Sequence, residues 1–245
     1  MVAVLPQPPL LVPELATGAA AETAALRSAC RAAASRLADA ASQWIAVGAD
    51  PGGRRTVGPA TCGSFVGFGV DLVVGLDTHH RNGTTPVDPL LPLPLLIAGW
   101  AAGGTGSAVQ VRGELVAPDA TPDACVRLGA ELAGHCAATP EPVGLLVLGD
   151  GAATHTAKAP GHLDARAGPF DAAVAAALAD ADPARLGALD AGVAAELLAV
   201  GRAPWQVLAG ATTGSAWRGE LLHSDAPFGV AYHVAIWTPV SCHLP

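Results

Sequence analysis

Groups able to do acid–base or ligand chemistry gather in one stretch of this sequence. His155 and His162 flank Lys158, the sole lysine, in a polar segment that follows the apolar run Val143 to Leu148. Imidazoles titrate near neutrality and also serve as metal ligands. A polar loop that leaves the end of a buried strand is where open α/β sheets hold ligands. Asp150 to Pro160 is therefore the first candidate site, while Lys158 itself reads as a solvated cation. Other suggestive residues have simpler readings. His79 and His80 are adjacent, so in extended backbone they point to opposite sides and do not grip one ion. Gly103-Gly104-Thr105-Gly106 loosely resembles a phosphate loop, but it has no following Lys-Ser/Thr and leads into a strand, as a plain turn would. The sequence has no G-x-S-x-G elbow, no H-E-x-x-H pair and no dinucleotide-binding fingerprint.

The elements that must position this loop follow from periodicity. Leu26, Cys30, Ala33 and Leu37 recur at helical spacing within Ala19 to Ala38, and Trp44 to Ala49 is a strand stopped by the turn Asp50-Pro51-Gly52-Gly53. Val70 to Leu76 and Ala108 to Val111 read as further strands, and Leu93 to Ala102 as a buried helix. Thr121-Pro122 supplies a capping hydroxyl and a first-turn proline to a helix with Cys125, Leu128, Leu132 and Cys136 inward. The unbroken apolar run Val143 to Leu148 has the composition of a central strand covered on both faces. Phe170, Val174 and Leu178 mark one more helix, Val193 and Leu197 another, and Val230 to Trp237 a closing strand. Alternating strands and helices imply a three-layer α/β sandwich, with no linker or internal repeat to divide it.

Composition narrows the partners. Hydrophobic residues make up 51% of the 245 and charged residues 14%, the balance of a well-covered core beneath a thin polar skin. A net charge of −8 without a basic stripe disfavours nucleic acid. Leu90 to Ala102 is too short and too proline-interrupted to span a membrane, and the N-terminus lacks the basic region of a secretory signal. Cys30, Cys62, Cys125, Cys136 and Cys242 form no C-x-x-C pair, so reduced thiols in the cytoplasm are expected. Abundant alanine and arginine over lysine suggest a high-GC bacterial genome of actinobacterial type.

Four segments taken together carry a family resemblance. Leu5-Pro6-Gln7-Pro8-Pro9-Leu10-Leu11-Val12-Pro13-Glu14 is similar to an opening strand and loop written P-H-P-P, an aliphatic run and P-E. Leu148-Gly149-Asp150, with Ala159-Pro160, Asp164-Ala165-Arg166 and Phe170-Asp171, resembles an S-G-D-L-S-H segment and its continuation. Asp225 to Tyr232 resembles E-A/G-P-F/Y-G-V-G-Y, and Asp88 to Leu95 more faintly D-H-G-T-x-V-P-L. These are the motifs of the LigB-like class III extradiol dioxygenases and their Memo-group relatives. The resemblance runs from residue 5 to 235 and implies one α/β domain over 1–245, a three-layer α/β/α sandwich with a central mixed sheet. It further implies ring cleavage of a catecholic substrate by oxygen, at Fe(II) held by two histidines and a carboxylate, with another histidine as acid–base group.

The chain departs from that pattern at each histidine. Gln7 stands at the first ligand position and Asp50 at the second; Asp88-Pro89 replaces an Asp-His pair. The acid–base position falls on Ala153, with His155 two residues later, and Asp225 replaces the glutamate. Imidazole nitrogens suit iron as amide and carboxylate oxygens do not, so Fe(II) ring cleavage and a bound cofactor are not expected. The resulting expectation is a pocket around Gln7, Asp50, Asp88, Asp150 and Asp225 that takes a small ligand or a partner. The alternative is an enzyme acting on an aromatic or related small molecule, with Gln7, Asp50 and Asp225 holding Fe(II) or a harder divalent ion such as Mg²⁺, Mn²⁺ or Ca²⁺. His155 would then be its catalytic acid–base group. The low surface charge is compatible with a homo-oligomer.

Overall fold

The computed structural model describes residues 1–16, 18, 21–79 and 86–240; His80, Cys242 and part of the expected start of the first helix lie outside the described residues. The chain runs β1 (Val2–Leu5), α1 (Ala24–Ala40), β2 (Gln43–Ala49), β3 (Arg55–Val57), β4 (Cys62–Ser64), β5 (Val73–Gly75), β6 (Val87–Asp88), α2 (Leu93–Gly103), β7 (Gln110–Val116) and α3 (Pro122–Ala138). It continues with β8 (Val143–Leu148), α4 (Ala167–Asp180), α5 (Pro183–Gly187), α6 (Ala191–Glu196), α7 (Arg202–Thr212), β9 (Trp217–Asp225) and β10 (Tyr232–Pro239).

A seven-stranded sheet in the order β3-β7-β2-β8-β1-β10-β9 forms the middle layer. β7, β2, β8 and β1 are parallel, whereas β3, β10 and β9 add antiparallel to the edges. The sheet is therefore mixed and helices cover both faces, the expected α/β/α sandwich. Side-chain alternation assigns the faces. Ala3, Leu5, Trp44, Ala46, Leu146 and Leu148 pack with α1 and α2. Their neighbours Val2, Val4, Ile45, Val47, Leu145 and Val147 pack with α3, α4 and α7. With both faces dry, every position of β8 past its first residue is buried, so its sequence reads as a continuous apolar run. Thr121 caps α3 as expected, accepting from the Ala124 amide, with Pro122 in the first turn.

Several elements differ from the sequence reading. The run Val70 to Leu76 yields only β5, which belongs to a separate sheet in the order β5-β4-β6 between β2 and α2. That unit carries the exposed apolar side chains Val66, Phe68, Val73, Val87 and Leu90. The helix α7 has no counterpart in the sequence reading; nearly all its residues are buried, the polar Arg202 and Gln206 among them. The edge strand β9 alternates only weakly between exposed and half-buried positions.

Helices α3 and α7 meet at two glycines. A Cβ on Gly129 would strike the Val207 carbonyl oxygen, and one on Gly210 the Val126 carbonyl oxygen. Backbone against backbone leaves no soft atom to yield, so Gly129→Ala should lower the unfolding free energy by about 3 kcal/mol. On the same helix, exposed Gly134 has open space around its Cα, and Gly134→Ala should raise it by about 0.5–1 kcal/mol. Urea unfolding of the two variants measures both signs.

Candidate functional site

The parallel strands β1, β2, β7 and β8 all end on one edge of the sheet. After β1 the chain goes to α1 on one face, and after β8 it goes to α4 on the other. Adjacent strands whose connections diverge open a crevice at their C-terminal ends, the usual ligand position in such sheets. Gln7 and Asp150 are the polar side chains that leave these two strands, and the Gln7 backbone N–H donates to Oδ1 of Asp150 at 2.8 Å.

Burial shifts the titratable groups of this corner toward their neutral forms. Burial raises the Asp150 carboxyl from 3.8 to about 7, against the opposing effect of the Gln7 hydrogen bond. The Cys30 thiol is pushed up to about 12, first by burial and then by the Asp150 charge. The same two causes, in the same order, raise the Tyr232 hydroxyl. The Gln7 side chain is 8% exposed, and its Oε1 has no hydrogen-bond partner. Thr154 Oγ1, on the loop that leaves β8, is likewise buried and unpartnered. Buried polar atoms without partners are rare, and each calls for a physical explanation.

The loop after Asp150 leads into a carboxylate–imidazole network. Asp171 lies on the buried stripe of α4 with Ala167, Val174 and Leu178. Its Oδ2 accepts from His155 Nε2 at 2.6 Å and its Oδ1 from His233 Nε2 at 3.2 Å, while the Ala152 amide donates to both oxygens. A side chain at Gly151 would collide with Oδ1 of Asp171, so that close approach requires glycine. On the far side of His233, Ser224 Oγ donates to Nδ1 at 3.0 Å, the cross-strand partner in β9. His233 is sealed, whereas the His155 side chain is 20% exposed. With Nε2–H held by Asp171, His155 presents Nδ1 as an acceptor. A carboxylate-oriented imidazole of this kind suits proton abstraction.

The expected site residues divide into two groups. Gln7, Asp150 and His155 are gathered on the loops that leave β1 and β8. Asp50, Asp88 and Asp225 are each engaged by neighbours in their own segment. Asp50 closes the turn after β2, its carbonyl accepting from Gly53, and its carboxylate lies 3.4 Å from Arg55 Nη2. Asp88 accepts from the Leu90 amide, and exposed Asp225 accepts from the adjoining Ala226 amide. Two residues before it in β9, His223 has its pKa lowered by burial, against the Asp225 charge. Among the described residues no three His, Cys, Asp or Glu side chains converge as a metal cluster. The donors at Gln7, Asp50 and Asp225 are thus an amide and two locally engaged carboxylates, a poor fit to an Fe(II) triad. Sequence reading left Asp171, His233 and Ser224 without roles. The available signal was a carboxylate on the apolar stripe of a helix, where only a paired charge is tolerated.

Two measurements test this geometry. A carboxyl whose pKa is higher folded than unfolded holds its proton more tightly in the native state. Its stabilising contribution is complete below about pH 3.8 and is lost as the pH rises through about 7. Asp150→Asn should therefore remove a decline in stability between pH 4 and 7, measured by denaturant unfolding of variant and parent; an unchanged slope would make Asp150 an ordinary solvated carboxylate. Gln7→Met removes the orphaned amide at similar volume and should raise the unfolding free energy of the ligand-free protein by about 1 kcal/mol.

Neither a family model nor a curated protein matches the sequence. A solved structure does: the uncharacterized protein JW3007 from Escherichia coli K12, at 13% identity and a TM-score of 0.54, over 96% of this chain and 98% of that one. At that identity the two chains share their fold.

Proposed function

We propose that this chain carries a LigB-like extradiol dioxygenase scaffold whose iron site has become a binding site for a small polar molecule. The carrying observation is the Gln7 side chain, buried at the β1–β8 crevice with an oxygen that no protein group satisfies. In this reading a ligand N–H or O–H donates to Gln7 Oε1, and the Asp150 carboxyl, which titrates at about 7, supplies a second contact. His155, oriented by Asp171, is the acid–base group if the bound molecule is turned over. Ring cleavage is not part of the reading, because amide and carboxylate oxygens tune iron differently from the imidazoles they replace.

A hard divalent cation is the second reading, favoured by the same orphaned oxygen. Amide oxygens coordinate Mg²⁺, Mn²⁺ and Ca²⁺ readily, with Asp50 and Asp225 as the accompanying carboxylates after release from Arg55 and Ala226.

The experiment is metal analysis of the purified native protein, followed by calorimetric titration with Fe²⁺ under anaerobic conditions and with Mn²⁺. Oxygen uptake on catechol is measured in parallel. The expected results are no stoichiometric iron, no saturable Fe²⁺ heat and no oxygen consumption. Stoichiometric iron with catechol-dependent oxygen uptake would overturn the proposal. Saturable Mn²⁺ binding that Gln7→Met abolishes would replace it with the cation reading.

A further inference from the structure

A second cavity is built from different residues. After β7 the chain turns through Pro118 and Asp119 into α3, and facing it is the run from Ala191 in α6 to Arg202 at the start of α7. Between them lies a cleft of about 450 Å³ lined by Pro118, Ala191, Ala195, Leu198, Val200 and Arg202, among others. That volume falls in the range of small-molecule sites. Its walls are mostly apolar, and Leu198 and Val200 stand 46% and 39% exposed. Leu198 has φ of 56°, a left-handed conformation that leucine rarely adopts.

Arg202 gives this cleft its chemistry. The residue is 3% exposed, and its guanidinium is charged at any physiological pH. Nη1 donates to the Ala120 carbonyl and to Gln206 Oε1, and Nη2 donates to the Pro118 carbonyl. Among the described residues no carboxylate pairs with it. The Nε–H and the second Nη2–H meet no protein acceptor. Nε and Nη2 form one edge of the guanidinium fork, which matches the two oxygens of a carboxylate. The N-terminal end of α7 adds positive potential at the same place. The one acidic residue lining the cleft, Asp119, is exposed and forms no ion pair with Arg202. The net charge of −8 opposes non-specific anion binding, so an anion held here is held by built contacts.

We propose that this cleft binds a small apolar carboxylic acid, with its carboxylate on Arg202 and its hydrocarbon body against Leu198, Val200 and Ala191. It is a site separate from the Gln7–Asp150 crevice and does not depend on the reading given for that crevice.

Calorimetric titration of the full chain with octanoate and with octanamide tests the proposal, since the two probes differ only in the charged head. Octanoate should bind at least about tenfold tighter than octanamide, as expected for hydrogen bonds to an ionised partner. Arg202 also braces the β7–α3 turn, so the blocking variant is Ala195→Phe, at an exposed helix position that lines the cleft. It should abolish octanoate binding while leaving the melting temperature near that of the parent. Equal affinity for the two probes, no octanoate binding, or undiminished binding in Ala195→Phe would each overturn the proposal.

Discussion

Burial of the parallel strands on both faces governs the rest of this molecule. β1, β2 and β8 send alternate residues to one dry layer and the intervening ones to another, so past Gln43 they contain no polar side chain. Hydrophobic burial at this density supplies most of the favourable free energy of folding. It also expels functional groups to the strand ends, where the first polar side chains after β1 and β8 are Gln7 and Asp150. The position of the crevice is thus a consequence of how the core is covered.

The covered core was also the most legible part of the sequence. Continuous apolar runs marked β2 and β8, and spacing marked α1 and α3, because each presents a strong contrast of period or length. Legibility failed where polar residues are buried or elements are short. Helix α7 buries Arg202 and Gln206 beside its apolar residues, and the small sheet around β4 pairs strands of two or three residues. The site was legible in part for the same reason. Asp150 and His155 follow a recognisable strand, whereas Asp171 and His233 sit inside elements and meet only in three dimensions, 62 residues apart. Asp50 and Asp225 show the converse: alignment to ligand positions identified them, but each is satisfied by its own turn.

The polar corner departs from good packing in a particular way. Asp171 is fully partnered by two imidazoles and an amide, a network that holds its members in one geometry. Gln7 and Thr154, on the neighbouring loops, retain oxygens with no partner. Fully satisfied groups beside unsatisfied ones are the pattern expected where a rigid frame holds a few atoms ready for something outside the chain. Natural proteins carry such local costs at functional positions, where stability alone would select an apolar residue.

The glycine contact between α3 and α7 has an effect at the other end of those helices. The turn through Pro118 runs into α3, and Leu198 to Gly201 runs into α7, so both walls of the second cleft are extensions of one locked helix pair. Backbone-to-backbone packing allows little sliding, and Arg202 ties the walls together through the Pro118 and Ala120 carbonyls. The cleft is consequently preorganised: its width is fixed before any guest arrives, and little conformational entropy remains to be lost on binding.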